Sequence, residues 1–486
     1  MQLSMGEIAT IRNGMMQSEH PLTPRELLAR QRAAFRDATP DYERRMATLK
    51  LLEAAVLDRQ VEIVQAVNAD FGGRARQETL ALELAPLVDA IRHTRRHLAK
   101  WMKPRRVGAG INFFPATARI ICQPLGVIGI IGAWNYPIFL ALSPLVDAIA
   151  AGNHALMKPS ELAPASAALL QKIIADTFPE EYIAVVTGDA KVAAEFAALP
   201  FDHLLFTGST RVGKLVMRAA SENLTPVTLE LGGKCPAIIH PEFPLRSAAE
   251  RILTGKLYNA GQTCLAPDYV FVHESQQEEL IAVANEVARQ LYPSWSDNPD
   301  YTRIINAAHF ARLNDCVADA AARGAKIISL GEKADQWNAE KRIFPPVILL
   351  NVDESMKVMQ EEIFGPILPL MTFRDIEEAL RYVNDHERPL ALYYFDHHSQ
   401  RIEHVLRTTV SGGVTINDVI YHIAQNNLPF GGVGASGMGQ YHGKAGFETF
   451  SKKKGVLMQS RFSTLKFLRP PYGPMAERVI RFLLRK

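Results

Sequence analysis

From about residue 23 to Trp101, apolar residues recur at three- and four-residue spacing, most clearly in MATLKLLEAAVLDRQVEIVQAVNADFG, and that period is helical. The run opens at Thr23-Pro24-Arg25-Glu26, where a hydroxyl residue, a proline at the first helical position and an acid three residues on spell a capping box. The first hundred residues therefore read as helices behind a loose N-terminal arm. After Pro104 the pattern changes. ATARIICQPLGVIGIIGAWNYP is β-branched and interrupted by glycine, which reads as a buried strand. A helix over residues 139–151 follows, then the strand HALMKPS, a helix from about 163 to 176, the strand IAVVTG, a helix near Ala193 and the strand HLLFTGS. Strands alternating with helices predict βαβ units and a parallel sheet. A second series, PAIIH, YVFVHE, AKIISLG, PVILLNV and PILPLMTF, predicts a second α/β domain, with no internal repeat or low-complexity linker.

The chain has 486 residues, enough for two to three packed units. A hydrophobic fraction of 48% and a net charge of +3 describe a globular chain with no call for nucleic acid as partner. Cys122, Cys235, Cys264 and Cys316 form no Cys-x-x-Cys pair, which favours a reducing compartment. The N-terminus lacks the order of a secretory signal, and no apolar run nears the roughly 20 residues that span a bilayer, so the expected location is cytoplasmic. The basic C-terminal tail ends in a short helix of apolar residues and arginines. It reads as packed on the protein or a partner subunit in preference to a membrane surface.

Several stretches carry candidate chemistry. In AGQTCLAP, Cys264 sits in a small-residue bend after Gly261 and Gln262, the setting of a working thiol, against the alternative of an inert buried cysteine. TLELGGK places Glu230 in an apolar segment, where desolvation raises a carboxyl pKa and suits it to proton transfer; a buried ion pair is the alternative. GAWNYP supplies Asn135, whose amide can donate to an oxyanion. MKPSELAP puts Lys158 and Glu161 beyond a strand end, where ligands of doubly wound sheets bind and where a ribose could be held. FTGSTRVG opens a helix with Gly208 and Gly213 spaced to leave N–H groups free for a phosphate, although many strand-to-helix turns carry glycine for geometry alone. His93 and His97 share a helix face, but no acidic ligand accompanies them and no metal is expected.

Taken in order, NYP, KPSE, FTGSTRVG, LELGGK, GQTC, EEIFGP and LPFGGVGASGMG resemble the aldehyde dehydrogenase superfamily from about Leu22 to Val456. The ending PFGGVGASGMGQYHGKAGFETFS is similar to its class 3 branch, with the bacterial coniferyl aldehyde dehydrogenases nearest. The resemblance implies an α/β fold with a Rossmann-type cofactor domain (1–115 and 125–231), an α/β catalytic domain (232–430), a bridging and oligomerisation element (116–124 and 431–456) and a tail (457–486). It implies Cys264 as the nucleophile, Asn135 and the Cys264 backbone N–H as oxyanion donors, and Glu230 as the base that hydrolyses a thioester. It assigns Lys158 and Glu161 to the adenosine ribose, Ser209 with Gly208 and Gly213 to the pyrophosphate, and Glu362 with Phe364 to the nicotinamide ribose. Trp134 and Leu231 complete the cofactor site. NAD is the expected cofactor, since Glu161 should repel a 2′-phosphate, with NADP as the alternative. A homodimer is the expected assembly.

Tyr136, Tyr258 on the helix before the thiol, Ile420 and Tyr421 are the expected substrate pocket, and stacking on tyrosine favours a flat ring. The expected substrate is thus an aromatic or long apolar aldehyde of the coniferyl type, and no arginine or lysine is obviously placed to favour a charged semialdehyde. The alternatives are an aliphatic or fatty aldehyde, a coenzyme A-acylating enzyme, which the presence of Glu230 disfavours, and a non-catalytic relative, which would need none of the three residues.

Overall fold

The computed structural model describes residues 22–110, 113–295, 298–331, 339–461, 463 and 468–484; the expected N-terminal arm lies outside them. In chain order the strands are β1 (Arg105–Val107), β2 (Thr117–Pro124), β3 (Val127–Ile131), β4 (His154–Lys158), β5 (Ile183–Val185), β6 (His203–Gly208), β7 (Val227–Leu231) and β8 (Pro236–Ile239). They continue with β9 (Tyr269–His273), β10 (Lys326–Ser329), β11 (Val347–Leu350), β12 (Ile367–Phe373), β13 (Ala391–Phe395), β14 (Gly413–Ile416), β15 (Gly437–Met438) and β16 (Ser451–Met458).

Helices build the first unit's outer layer. Thr23 accepts from the Glu26 N–H while Glu26 accepts from the Thr23 N–H at 2.8 Å, so the capping box forms as read. Residues 42–101 are almost continuously helical. The helix Phe139–Ala151 is buried on every side, between this layer and a sheet ordered β15-β7-β6-β3-β4-β5. β3 to β7 are parallel, and their near-unbroken apolar content reflects burial on both faces.

The second sheet runs β10-β11-β12-β9-β8-β13-β14, parallel except for β10, which pairs antiparallel with β11 at the edge. A single apolar core continues from the first unit's helices through Leu257, Ala260 and Leu265 into this second unit.

Three expectations differ from the fold. The run after Pro104 is two strands, because Gly126 turns at φ 146° between them, with the Asn153 carbonyl taking the Leu125 and Gly126 N–H groups. Only the second of these strands is fully buried. The bridging sheet is β1-β2-β16, antiparallel throughout, so it recruits residues 105–107 and extends to Met458. Residues 431–450 do not belong to it: β15 pairs with β7, and the helix Gly443–Thr449 packs on the helices Phe139–Ala151 and Ala85–Trp101. The tail helix Pro474–Leu483 buries Ala476, while Phe482 and the following Leu484 are exposed in the single chain. Among the described residues, no helix is long and apolar enough to cross a membrane.

Candidate active site

β3 is flanked by β4 on one side and β6 on the other, so the strand order reverses there and a crevice opens at the carboxyl ends. The residues singled out from the sequence gather at these ends: Trp134 and Asn135 after β3, Lys158 closing β4 with Glu161 beyond, Gly208 closing β6, and Glu230 with Leu231 closing β7. Lys158 is buried and pairs with the half-exposed Glu161 at 2.5 Å. Ser209 caps the helix Thr210–Ser221 by accepting from the Val212 N–H. The two glycines serve other ends than phosphate access alone. A Cβ at Gly213 would lie 2.6 Å from Leu231 Cδ2, so Gly213 permits close packing of its helix on β7, and one at Gly208 would lie 2.5 Å from the Phe206 ring within the same strand.

The thiol sits on an unusual turn. The helix Leu245–Leu257 stops, and Asn259, Ala260 and Gly261 all take positive φ, at 52°, 51° and 76°. Tyr258 therefore opens this turn instead of riding on the helix. Two of the three are not glycine, so the conformation is held by its surroundings. A Cβ at Gly261 would lie 2.4 Å from the Gly365 carbonyl oxygen, which fixes glycine there. The Asn259 N–H meets Glu78, its side-chain amide donates to the Asn135 and Gln262 carbonyls, and Gln262 bridges Asn259, Arg303 and Ile305. Asn135 donates one amide N–H to the Gln262 carbonyl at 3.2 Å, and its second N–H is left for another acceptor. The Cys235 thiol donates to the Cys264 carbonyl at 3.4 Å.

Beneath this turn lies a network that sequence reading missed. Arg74, with a fully buried side chain, lies 3.2 Å from Glu83 and 3.8 Å from Glu78, donates to the Asn135 carbonyl, and stacks on the rings of Phe71 and Tyr136. Glu83 accepts from the Ile138 and Phe139 N–H groups, at 2.8 and 3.1 Å, and Glu78 from the Thr302 hydroxyl. Arg74 and Glu78 look like an ordinary i,i+4 helix pair, and the hydrogen-bond partners that tie the two acids to the site lie 55 or more residues away, so no local pattern announces their role.

Glu230 and Glu362 face the thiol. Both Glu230 oxygens are buried without a hydrogen-bond partner, and burial holds its carboxyl well above the usual range. Glu362 accepts from the Gly233 N–H while its Oε1 has no partner; burial, reinforced by Asp268, pushes it up to about 8. Its carboxylate lies where a Gly232 Cβ would go, which accounts for the first of the paired glycines after Glu230. Burial raises the Cys264 thiol strongly, and the charges of Glu362 and Glu230 add to this, while the Cys264 and Leu265 N–H groups work in the opposite direction. Phe364, at φ 51°, packs edge-on against Trp134 with ring centroids 5.4 Å apart.

Toward the surface, the Tyr258 and Tyr421 hydroxyls meet at 3.4 Å, whereas Tyr136, expected in the substrate pocket, packs on the buried Arg74 with its hydroxyl 2.7 Å from Thr263. Ile420 and Tyr421 border a cavity shared with Glu250, Arg251 and Asp418. Arg251 also borders this cavity, where its guanidinium donates to the Asn417 carbonyl and two carboxylates accompany it. Ile420 holds φ 54°, a strained state for a β-branched residue. His93 and His97 stack on one another and on Trp101 with centroids 4.2 to 5.9 Å apart, and among the described residues no group of three metal-binding side chains converges.

The chain is similar to known proteins over most of its length. The aldehyde dehydrogenase family model matches residues 25–456. The chain is 48% identical over 468 residues to a probable coniferyl aldehyde dehydrogenase of Pseudomonas aeruginosa, covering 96% of this chain and 97% of that one. It is 42% identical over 416 residues to aldehyde dehydrogenase family 3 member A2 of Rattus norvegicus, covering 85% and 84%. The solved structure of Staphylococcus aureus AldH in its substrate-bound state matches with a TM-score of 0.89 at 38% identity, covering 94% of this chain and 99% of that one.

Proposed function

The chain belongs to the aldehyde dehydrogenase family, NAD(P)-dependent oxidoreductases, and from that premise we propose that it oxidises an aromatic aldehyde of the coniferyl type to its carboxylic acid, using NAD. The observation that carries the reading is a buried thiol on which the charges of Glu362 and Glu230 both act, Glu230 having neither carboxylate oxygen hydrogen-bonded and Glu362 only one.

Cys264 attacks the aldehyde carbonyl as thiolate, forming the C–S bond. The free N–H of Asn135 and the Cys264 backbone N–H stabilise the oxyanion, and they do so in a site from which water is largely excluded. The bound dinucleotide supplies the hydride acceptor. Oxidation of the adduct leaves a thioester on Cys264. Glu230, uncommitted to any hydrogen bond, takes a proton from the water that cleaves it. A raised carboxyl pKa matches this base to neutral pH.

The chain's residues fit a dinucleotide. Glu362 Oε1 is buried with nothing to accept from, as a group awaiting a ribose hydroxyl would be. Ser209 heads a twelve-residue helix whose N-terminus suits a pyrophosphate. Lys158 and Glu161 would hold the adenosine ribose, and the Glu161 charge disfavours a 2′-phosphate. Trp134, Leu231 and Phe364 would complete the walls.

The aromatic assignment leans on the tyrosine-bordered mouth and on the similarity to coniferyl aldehyde dehydrogenases. Glu250 and Asp418 at the cavity should repel anionic semialdehydes. The test compares kcat/KM for coniferyl or cinnamic aldehyde with that for acetaldehyde and succinic semialdehyde. A higher value for either small aldehyde would overturn the substrate reading. Loss of aldehyde oxidation in Cys264→Ala, with NAD binding retained, checks the nucleophile independently.

A further inference from the structure

The helix Ala307–Ala322, capped by Asn306, carries His309 and Arg312 three residues apart and so on one face. His309 meets Trp134 edge-on with ring centroids 5.0 Å apart. Arg312 is half-buried and donates to the Ile363 carbonyl at 2.5 Å and to the Glu362 carbonyl at 3.5 Å. The same segment is gripped elsewhere by other side chains: the Ile363 N–H donates to Asp268 at 3.0 Å, and Lys234 donates to the Glu361 carbonyl at 3.3 Å. The two carbonyls that Arg312 takes directly precede Phe364, which holds φ 51°. A left-handed residue other than glycine persists only where its surroundings fix it. Gly365, the next residue, packs against Leu313, and its carbonyl lies against Gly261 of the thiol turn. One short segment thus carries Glu362 and Phe364 and abuts the turn that places Cys264.

A guanidinium suits such a task, because its planar fork holds two acceptors at once where an ammonium offers a point charge. We propose that Arg312 is a positioning residue that clamps the Glu362–Ile363 main chain and thereby holds Glu362 and Phe364 ready to receive the dinucleotide beside the thiol turn. This rests on Glu362 and Phe364 facing the dinucleotide. Without the clamp the segment loosens, and binding has to order it again, which weakens affinity.

Hydrogen–deuterium exchange of residues 361–365 in the cofactor-free protein reads the clamp, and calorimetric titration with NAD reads its consequence. Arg312→Met should speed exchange of that segment about tenfold and raise the NAD dissociation constant about tenfold, while KM for the aldehyde at saturating NAD stays at its wild-type value. Arg312→Lys should fall between the two, and Arg312→Gln takes the same measurements if the methionine variant fails to fold. Wild-type exchange or wild-type NAD affinity in the neutral variant overturns the inference, as does a loss of protection spread evenly over the whole chain, the mark of a role in folding alone. Glu362→Gln separates this from the reading beneath it. If Glu362→Gln weakens NAD binding and Arg312→Met does not, the clamp alone is wrong; if neither does, the placement of the nicotinamide ribose falls with it.

Discussion

Glu230 combines two properties that rarely coexist in a folded chain, complete burial and the lack of any hydrogen bond. The cost appears in stability. A carboxyl raised in the native state holds its proton where the unfolded chain has lost it, so stability falls as pH rises above the unfolded value near 4.5, by about 1.4 kcal/mol per pH unit. Glu230→Gln should therefore melt increasingly above wild type from pH 5 to pH 8 in differential scanning calorimetry. In kinetics, the same variant should lose steady-state turnover while keeping the first burst of NADH, because water activation follows oxidation. Glu161→Gln should raise the NADP-to-NAD ratio of kcat/KM by removing a charge from the ribose site. Cys264, Glu230 and Asn135 were singled out from the short motifs they sit in, although the groups that surround them in space come from distant segments. Arg74, Glu78 and Glu83 were not, since each acts on a loop far along the chain and looks like an ordinary helix charge.

At the scale of elements, the thiol turn depends on two outside supports. One is the Gly365 backbone, against which Gly261 lies with no room for a methyl group. Gly261→Ala should cost at least about 2 kcal/mol, from left-handed strain plus a clash with main chain, and abolish turnover. Gly365→Ala meets only the flexible Leu313 side chain and should be milder, which chemical denaturation of the pair would reveal. The other support is the Arg74 network: Arg74→Met would leave Glu78 and Glu83 buried without their cation and should destabilise by about 3 to 5 kcal/mol. Most strands and helices of the first unit follow from periodicity, because buried parallel strands are continuous apolar runs. The antiparallel direction of β10 and the separate sheet of β1, β2 and β16 did not, since both depend on pairing between distant segments.

The molecule as a whole is organised by returns of its C-terminal part. β16 builds the bridging sheet on β2, exposing Leu457 and Met458 at an outer strand, and we read this sheet as the place where two copies join. Sedimentation should accordingly give twice the chain mass. The shorter return, β15 onto β7, has a different consequence. Gly437 sits opposite Glu230, and the Leu231 N–H donates to the Ser436 carbonyl. During synthesis, therefore, the first sheet keeps an unpaired flank beside Glu230 until some two hundred further residues have left the ribosome. A nascent chain arrested before residue 437 should be sensitive to protease along β7 and prone to associate through it, whereas one released in full should be protected.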